Sequence, residues 1–188
     1  MVQAPTQSLT LTEFLVLPET KPASEFRHGR ITTKSMPQGQ HSTIQGALTT
    51  QINAVTQPSK VAWAFPELRC TFGGRSIVPD IAVFTWARIP TRQDGTIANQ
   101  FGHSPDWVIE ILSPGQSSTR VTSNILHCLS NGACLGWLID PAEQIVLIYR
   151  PDQLPLALEA AGDRLLTPDF ASRLELTVQQ LFDWLKVN

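Results

Sequence analysis

The stretch "DWVIEILSPG", residues 106–115, sets a single carboxylate, Glu110, inside a run of branched and aromatic residues that otherwise has the composition of a buried strand. Side chains alternate along a strand, so Trp107, Ile109 and Ile111 share one face while Val108, Glu110 and Leu112 share the other. Glu110 is therefore not an acid on a turn. Burying a lone carboxylate costs on the order of several kcal/mol or shifts its pKa until it neutralises, so such a group needs a cation, a donor cluster or a water-filled pocket beside it.

Working upstream, "VAWAFPELRCTF" (61–72), a Gly73-Gly74 turn and "SIVPDIAVF" (76–84) predict a strand-turn-strand unit over 62–71 and 75–84, with "DWVIEIL" as a third strand over 106–112. Before them, Ile44, Leu48, Ile52 and Val55 recur at helical spacing and predict a helix over 39–57. After them, Val121, Ile125, Cys128 and Leu129 share a helical face over 118–131, Asn131-Gly132 supplies a stop, and "CLGWLID" reads as a strand over 135–140. The order is αβββαβ, an α/β arrangement of the α+β type with a mixed central sheet flanked by helices. Thr10 and Glu13 form a capping-box pattern for a short first helix, "SEFRHGRITTKSM" (24–36) reads as a hairpin turning at His28-Gly29, and Thr177 caps a final amphipathic helix. One domain over 1–188 is expected, with its core at about 39–150, the first helix and hairpin at 8–35 and the last strands and helix at 151–188.

Composition narrows the function. A hydrophobic fraction of 42% and a charged fraction of 16% fit a folded globular chain, and no apolar run approaches the ~20 residues of a membrane span. The opening "MVQAPTQSLTLTEFL" lacks the basic and continuous apolar regions of a secretory signal, and three cysteines at irregular spacing suggest no disulfide framework, so a cytoplasmic location is expected. A net charge of −2 gives no general attraction to nucleic acid, so a DNA-binding role needs a local basic surface. Arg69, Arg75, Arg88 and Arg92 are candidates for one, or are simply solvated.

A second acid, Asp80, lies within the apolar strand that precedes Glu110 by thirty positions. Two carboxylates brought together repel, and a shared proton or a hard divalent cation relieves them; Mg²⁺ takes one or two carboxylates with waters and a substrate phosphate. Spacing alone equally allows Asp80 to cap a strand after Pro79 and Glu110 to pair with an arginine. The long interval from Thr85 to Pro105 has the length of a functional loop. His41 and Gln45, at i and i+4, can face a cleft, although the spacing favours a solvated helix face. No C-x-x-C or H-x-x-x-H pairing suggests zinc, no G-x-S-x-G surrounds Ser113, and Gly73-Gly74 lacks the lysine and helix of a phosphate loop.

The Pro79-Asp80 step, the strand end Glu110-Ile111-Leu112-Ser113 and the αβββαβ order resemble the PD-(D/E)XK nuclease superfamily. More closely, "FPELRCTFGGRSIVPDIAVF", "PDWVIEILSPG" and "NGACLGWLIDP" resemble the restriction-endonuclease-related family called Uma-two, over roughly residues 10 to 150. The resemblance implies a Mg²⁺-dependent (or Mn²⁺-dependent) endonuclease acting on DNA, with Asp80 and Glu110 as metal ligands and Glu25 near the same cleft. Superfamily enzymes commonly pair two-fold, which makes a homodimer the expected assembly, with "TVQQLFDWLK" (177–186) as one possible contact surface.

The chain departs from the pattern at the lysine. Two residues past the glutamate, where the superfamily has lysine, stands Leu112; in the Uma-like branch the lysine comes from the following helix in a pattern resembling "EKxxxYxxxG", and those positions hold Asn124 and Cys128. Asparagine offers neither a charge nor a titratable proton. Arg120, one turn earlier, can supply charge from the same helical face but not base catalysis. Two functions remain open from the sequence: an endonuclease weakened at Asn124, and a degenerate nuclease fold serving as a nucleic-acid- or protein-binding module.

Overall fold

The structure, a computed structural model, describes residues 9–187. The reading of residues 1–8 as free of a secretory signal lies outside them. A short helix α1 (Leu11–Leu15) carries the capping box expected at Thr10 and Glu13, and a hairpin β1 (Ser24–Arg27) and β2 (Arg30–Thr33) turns at His28-Gly29, both at positive φ. Helix α2 (Gly39–Thr56) leads to β3 (Ala62–Pro66), β4 (Cys70–Phe72), β5 (Arg75–Ile77), β6 (Ile81–Thr85) and β7 (Trp107–Ile111). Helix α3 (Ser118–Leu129) precedes β8 (Leu135–Asp140), β9 (Ile145–Tyr149), β10 (Leu156–Leu158) and α4 (Val178–Asp183).

A six-stranded sheet runs in the order β10-β9-β8-β7-β6-β3, and a four-stranded sheet in the order β2-β1-β5-β4. In the larger one only β7 and β8 pair in parallel, so the sheet is mixed. Its helices and strands follow the αβββαβ order, but the two strands expected over 62–71 and 75–84 are each broken in two. Pro66 ends β3 and Glu67 takes φ 49°; on the return, Pro79 has no N–H for a ladder and separates β5 from β6. The outer halves, β4 and β5, leave the main sheet and pair with the first hairpin, Phe26 opposite Ser76. This division creates the cleft described below.

The alternation read in β7 holds. Trp107, Ile109 and Ile111 pack beneath Ile44, Leu48 and Ile52 of α2, together with Val178, Leu181 and Phe182 of α4. Trp184 and Leu185, partly buried, lie against the same core, so the apolar face of the C-terminal helix packs inward. Val108 faces the opposite layer, with Val121, Ile125 and Cys128 of α3. Gly136 in β8 permits the close approach of that helix, because a Cβ there would stand 2.3 Å from Ile125 Cγ2.

Candidate metal centre

Strands β6 and β7 are antiparallel, with Ile81 opposite Ile109 at the end of the ladder; Asp80, just before β6, reaches the end of β7 through its side chain, which accepts the Ile111 N–H. Extending the register by one residue would set Asp80 opposite Glu110 on the same face, and the Asp80 charge does act on Glu110, so the two acids meet at one end of the sheet. Both are buried, Asp80 at 1% exposure and Glu110 at 2%. Asp80 is not mid-strand but is the last residue of the Val78-Pro79-Asp80 kink. Its Oδ2 accepts the Ile111 N–H at 2.7 Å and lies 3.1 Å from His41 Nε2, while Oδ1 accepts from Lys34 Nζ at 2.5 Å. Burial works against its charge, but the His41 and Lys34 contacts prevail and bring its pKa down to about 2.

Glu110 has the reverse balance. Burial, then the charge of Asp80, hold its pKa well above the usual carboxylate value despite the opposing effect of Lys34. Its Oε1 is buried with no hydrogen-bond partner among the described residues. Glu25, from β1, is better satisfied: its Oε1 accepts the Val78 N–H at 2.8 Å, and Asn124 Nδ2 lies 3.3 and 3.2 Å from its two oxygens. Glu25, Lys34, Glu110, Arg120 and Asn124 line one cavity of about 270 Å³, between the small sheet and the start of α3. Among the described residues no three His, Cys, Asp or Glu side chains gather into a metal-holding cluster; the pair of interest is Asp80 and Glu110.

The structure thus brings Asp80, Glu110, Glu25 and Asn124 to one place and sets Arg120 at its exposed rim. The buried cation is neither Arg120 nor any arginine, but Lys34, whose side chain is 10% exposed. Motif reading missed it because Lys34 follows β2, 76 positions before Glu110, and only the fold of the small sheet onto the main one brings it there. Burial opposes its charge, and Asp80, Glu110 and Glu67 together outweigh that and raise its pKa. His41 and Gln45 also face the cleft rather than solvent: Gln45 Nε2 donates to the Asp80 carbonyl at 2.8 Å.

Other expectations need correction. The 85–105 segment joins the far ends of β6 and β7, roughly 15 Å along the strands from Asp80 and Glu110. It is packed, with Phe101 in the core and Asp106 holding Arg88 and the Thr85 N–H. Arg88 and Arg92 therefore form no rim around the acids, and Arg69 is taken by Glu19 at 2.7 Å. Arg75 lies against α3, 3.3 Å from the Ser123 carbonyl.

A mixed sheet in αβββαβ order, with acids converging at the Pro79 kink, is the architecture of a restriction-endonuclease-like fold. The family model Uma2, "Putative restriction endonuclease", matches residues 11–179, and the chain belongs to that family. The crystal structure of "a putative nuclease belonging to DUF820 from Anabaena variabilis ATCC 29413" is 55% identical, covers 95% of this chain and 99% of its own, and superposes with a TM-score of 0.94. Among curated proteins none matches.

Proposed function

We propose that this chain is a Mg²⁺-dependent endonuclease, Mn²⁺ serving in its place, that hydrolyses DNA phosphodiester bonds with Asp80 and Glu110 as the metal ligands. One observation carries the reading: Glu110, which lines a cavity and feels the charge of Asp80, has a buried oxygen with no hydrogen-bond partner among the described residues. An arrangement so costly to the fold is the mark of a group kept for a ligand. Two carboxylates, with no cysteine among the cavity residues, suit a hard cation whose other ligands are water and phosphate oxygens. Asp80 retains capacity, since a carboxylate offers about four lone-pair positions and three donors use them here.

A bound ion would polarise the phosphoryl oxygen and lower the pKa of the attacking water. The chain's own groups prepare the place. Ile111 N–H and His41 fix the Asp80 carboxylate, and Val78 N–H and Asn124 hold Glu25 at the cavity wall. Arg120 sits in the first turn of α3, where a cation opposes the helix dipole, and it pairs with no acid among the described residues; it is placed to meet a backbone phosphate. The family description and the relative's name support nuclease chemistry. Cleavage of both strands of a duplex needs two such sites, so a homodimer belongs to this proposal.

The competing reading, a nuclease fold retained as a binding module, is favoured by Asn124 at the position of the resemblance's lysine. Nicking of supercoiled plasmid separates the two. Mg²⁺- or Mn²⁺-dependent nicking that Glu110→Ala removes supports the endonuclease; metal-independent DNA binding with no nicking supports the module.

A further inference from the structure

We propose that Lys34 supplies the positive charge that the resemblance assigns to α3, so that Asn124 marks a relocation of this group and not its loss; the proposal rests on the endonuclease reading above. Lys34 Nζ lies 2.5 Å from Asp80 Oδ1 and 2.8 Å from the Val78 carbonyl, and its side chain shares the cavity with Glu110. The kink at Pro79 makes this possible, because Val78 lies in the break between β5 and β6 and its carbonyl turns to the ammonium. The third Nζ contact, to Glu67 Oε1, is the longest at 3.3 Å and reaches a carboxylate whose side chain is 40% exposed. An ammonium has three donors. Two fix Lys34 in place, and the third is the one that a water or phosphoryl oxygen can take over from Glu67.

Asn124 is not idle. Its amide spans both oxygens of Glu25, so a lysine there would be drawn to Glu25. In the hydrolysis, the water oxygen bonds to phosphorus, the bond to the leaving sugar oxygen breaks, the water gives a proton to solvent and the leaving oxygen takes one. Lys34 keeps its proton throughout. Its part is to offset the negative charge that grows on the phosphoryl oxygens, an effect typically of about 10²–10³ in rate.

Lys34→Met tests this with two readouts, Mn²⁺ binding by calorimetry and plasmid nicking in Mn²⁺. The expected result is binding within about tenfold of wild type, because the carboxylates hold the metal, with nicking slower by about 10²–10³. Asn124→Lys should bring no gain. Lys34→Arg, which keeps the ion pair with Asp80, covers the case in which the Met variant does not fold; a guanidinium cannot place its donors at the ammonium position, and at least about a tenfold loss is expected. Wild-type nicking in either Lys34 variant overturns the Lys34 assignment while leaving the endonuclease reading intact. Wild-type protein that neither binds Mn²⁺ nor nicks overturns the endonuclease reading, and this proposal with it.

Discussion

Lys34 and Asp80 are 46 residues apart in the chain, yet the ammonium donates to the carboxylate at 2.5 Å. This contact closes the small sheet onto the end of the large one. It joins the segment after β2 to the kink before β6, and the same kink is gripped from β1 by Glu25 and from α2 by His41 and Gln45. The site is thus a junction between sheets.

Glu110 should weaken the fold it sits in. Its pKa is raised, chiefly by burial, so folding favours the protonated form, and stability that is fully present below pH 4.5 is lost as pH rises. Glu110→Gln removes that dependence. Thermal unfolding at pH 8 should show the variant more stable by roughly 0.5–2 kcal/mol, with the difference vanishing at pH 4. Asp80 has the opposite sign: its contribution is present above pH 3.8 and is lost as pH falls toward about 2.

Asn124→Ala should destabilise by about 1–3 kcal/mol, because Glu25, a buried carboxylate, loses its only side-chain donor among the described residues. Urea unfolding measures it. A neutral result would mean that Glu25 is held by the Val78 N–H alone.

Arg120→Ala should weaken DNA binding in Ca²⁺ similarly for unrelated sequences and reduce the salt slope by about one, while leaving the unfolding midpoint unchanged or slightly raised, since the residue opposes the dipole of α3. Fluorescence anisotropy across a salt series reads both the affinity and the slope. An unaltered slope removes Arg120 from the DNA interface.

The sequence carried the main sheet well because its signals are local: the period of α2, the alternation in β7, and the stop at Asn131-Gly132, where Gly132 takes φ 100°. It failed where a long apolar run bends. Nothing in "VAWAFPELRCTF" except Pro66 reveals that β3 and β4 belong to different sheets, and that division decides which residues surround Asp80. Asp80 and Glu110 were legible because each is an acid in an apolar run. His41 was visible as a spacing without a direction. Lys34 was not visible at all, since a lysine after a short exposed strand has the local character of a solvated one, and only tertiary closure gives it three acceptors.

Gly136→Ala tests how α3 is held over Glu110. The added Cβ would meet Ile125 Cγ2 at 2.3 Å, so the helix or the side chain must shift at a cost of about 1–3 kcal/mol. If the site depends on the seating of α3, plasmid nicking should fall along with thermal stability. Unchanged stability would mean that Ile125 finds another rotamer at no cost.

The most direct measurement is titration calorimetry of Mn²⁺ into the wild type and Asp80→Ala at pH 8. Two carboxylates meeting where β6 begins and β7 ends should give one saturable site in the wild type and no such site in Asp80→Ala. Equal heats from both proteins, or none from either, would contradict the assignment of Asp80 and Glu110 as a metal centre.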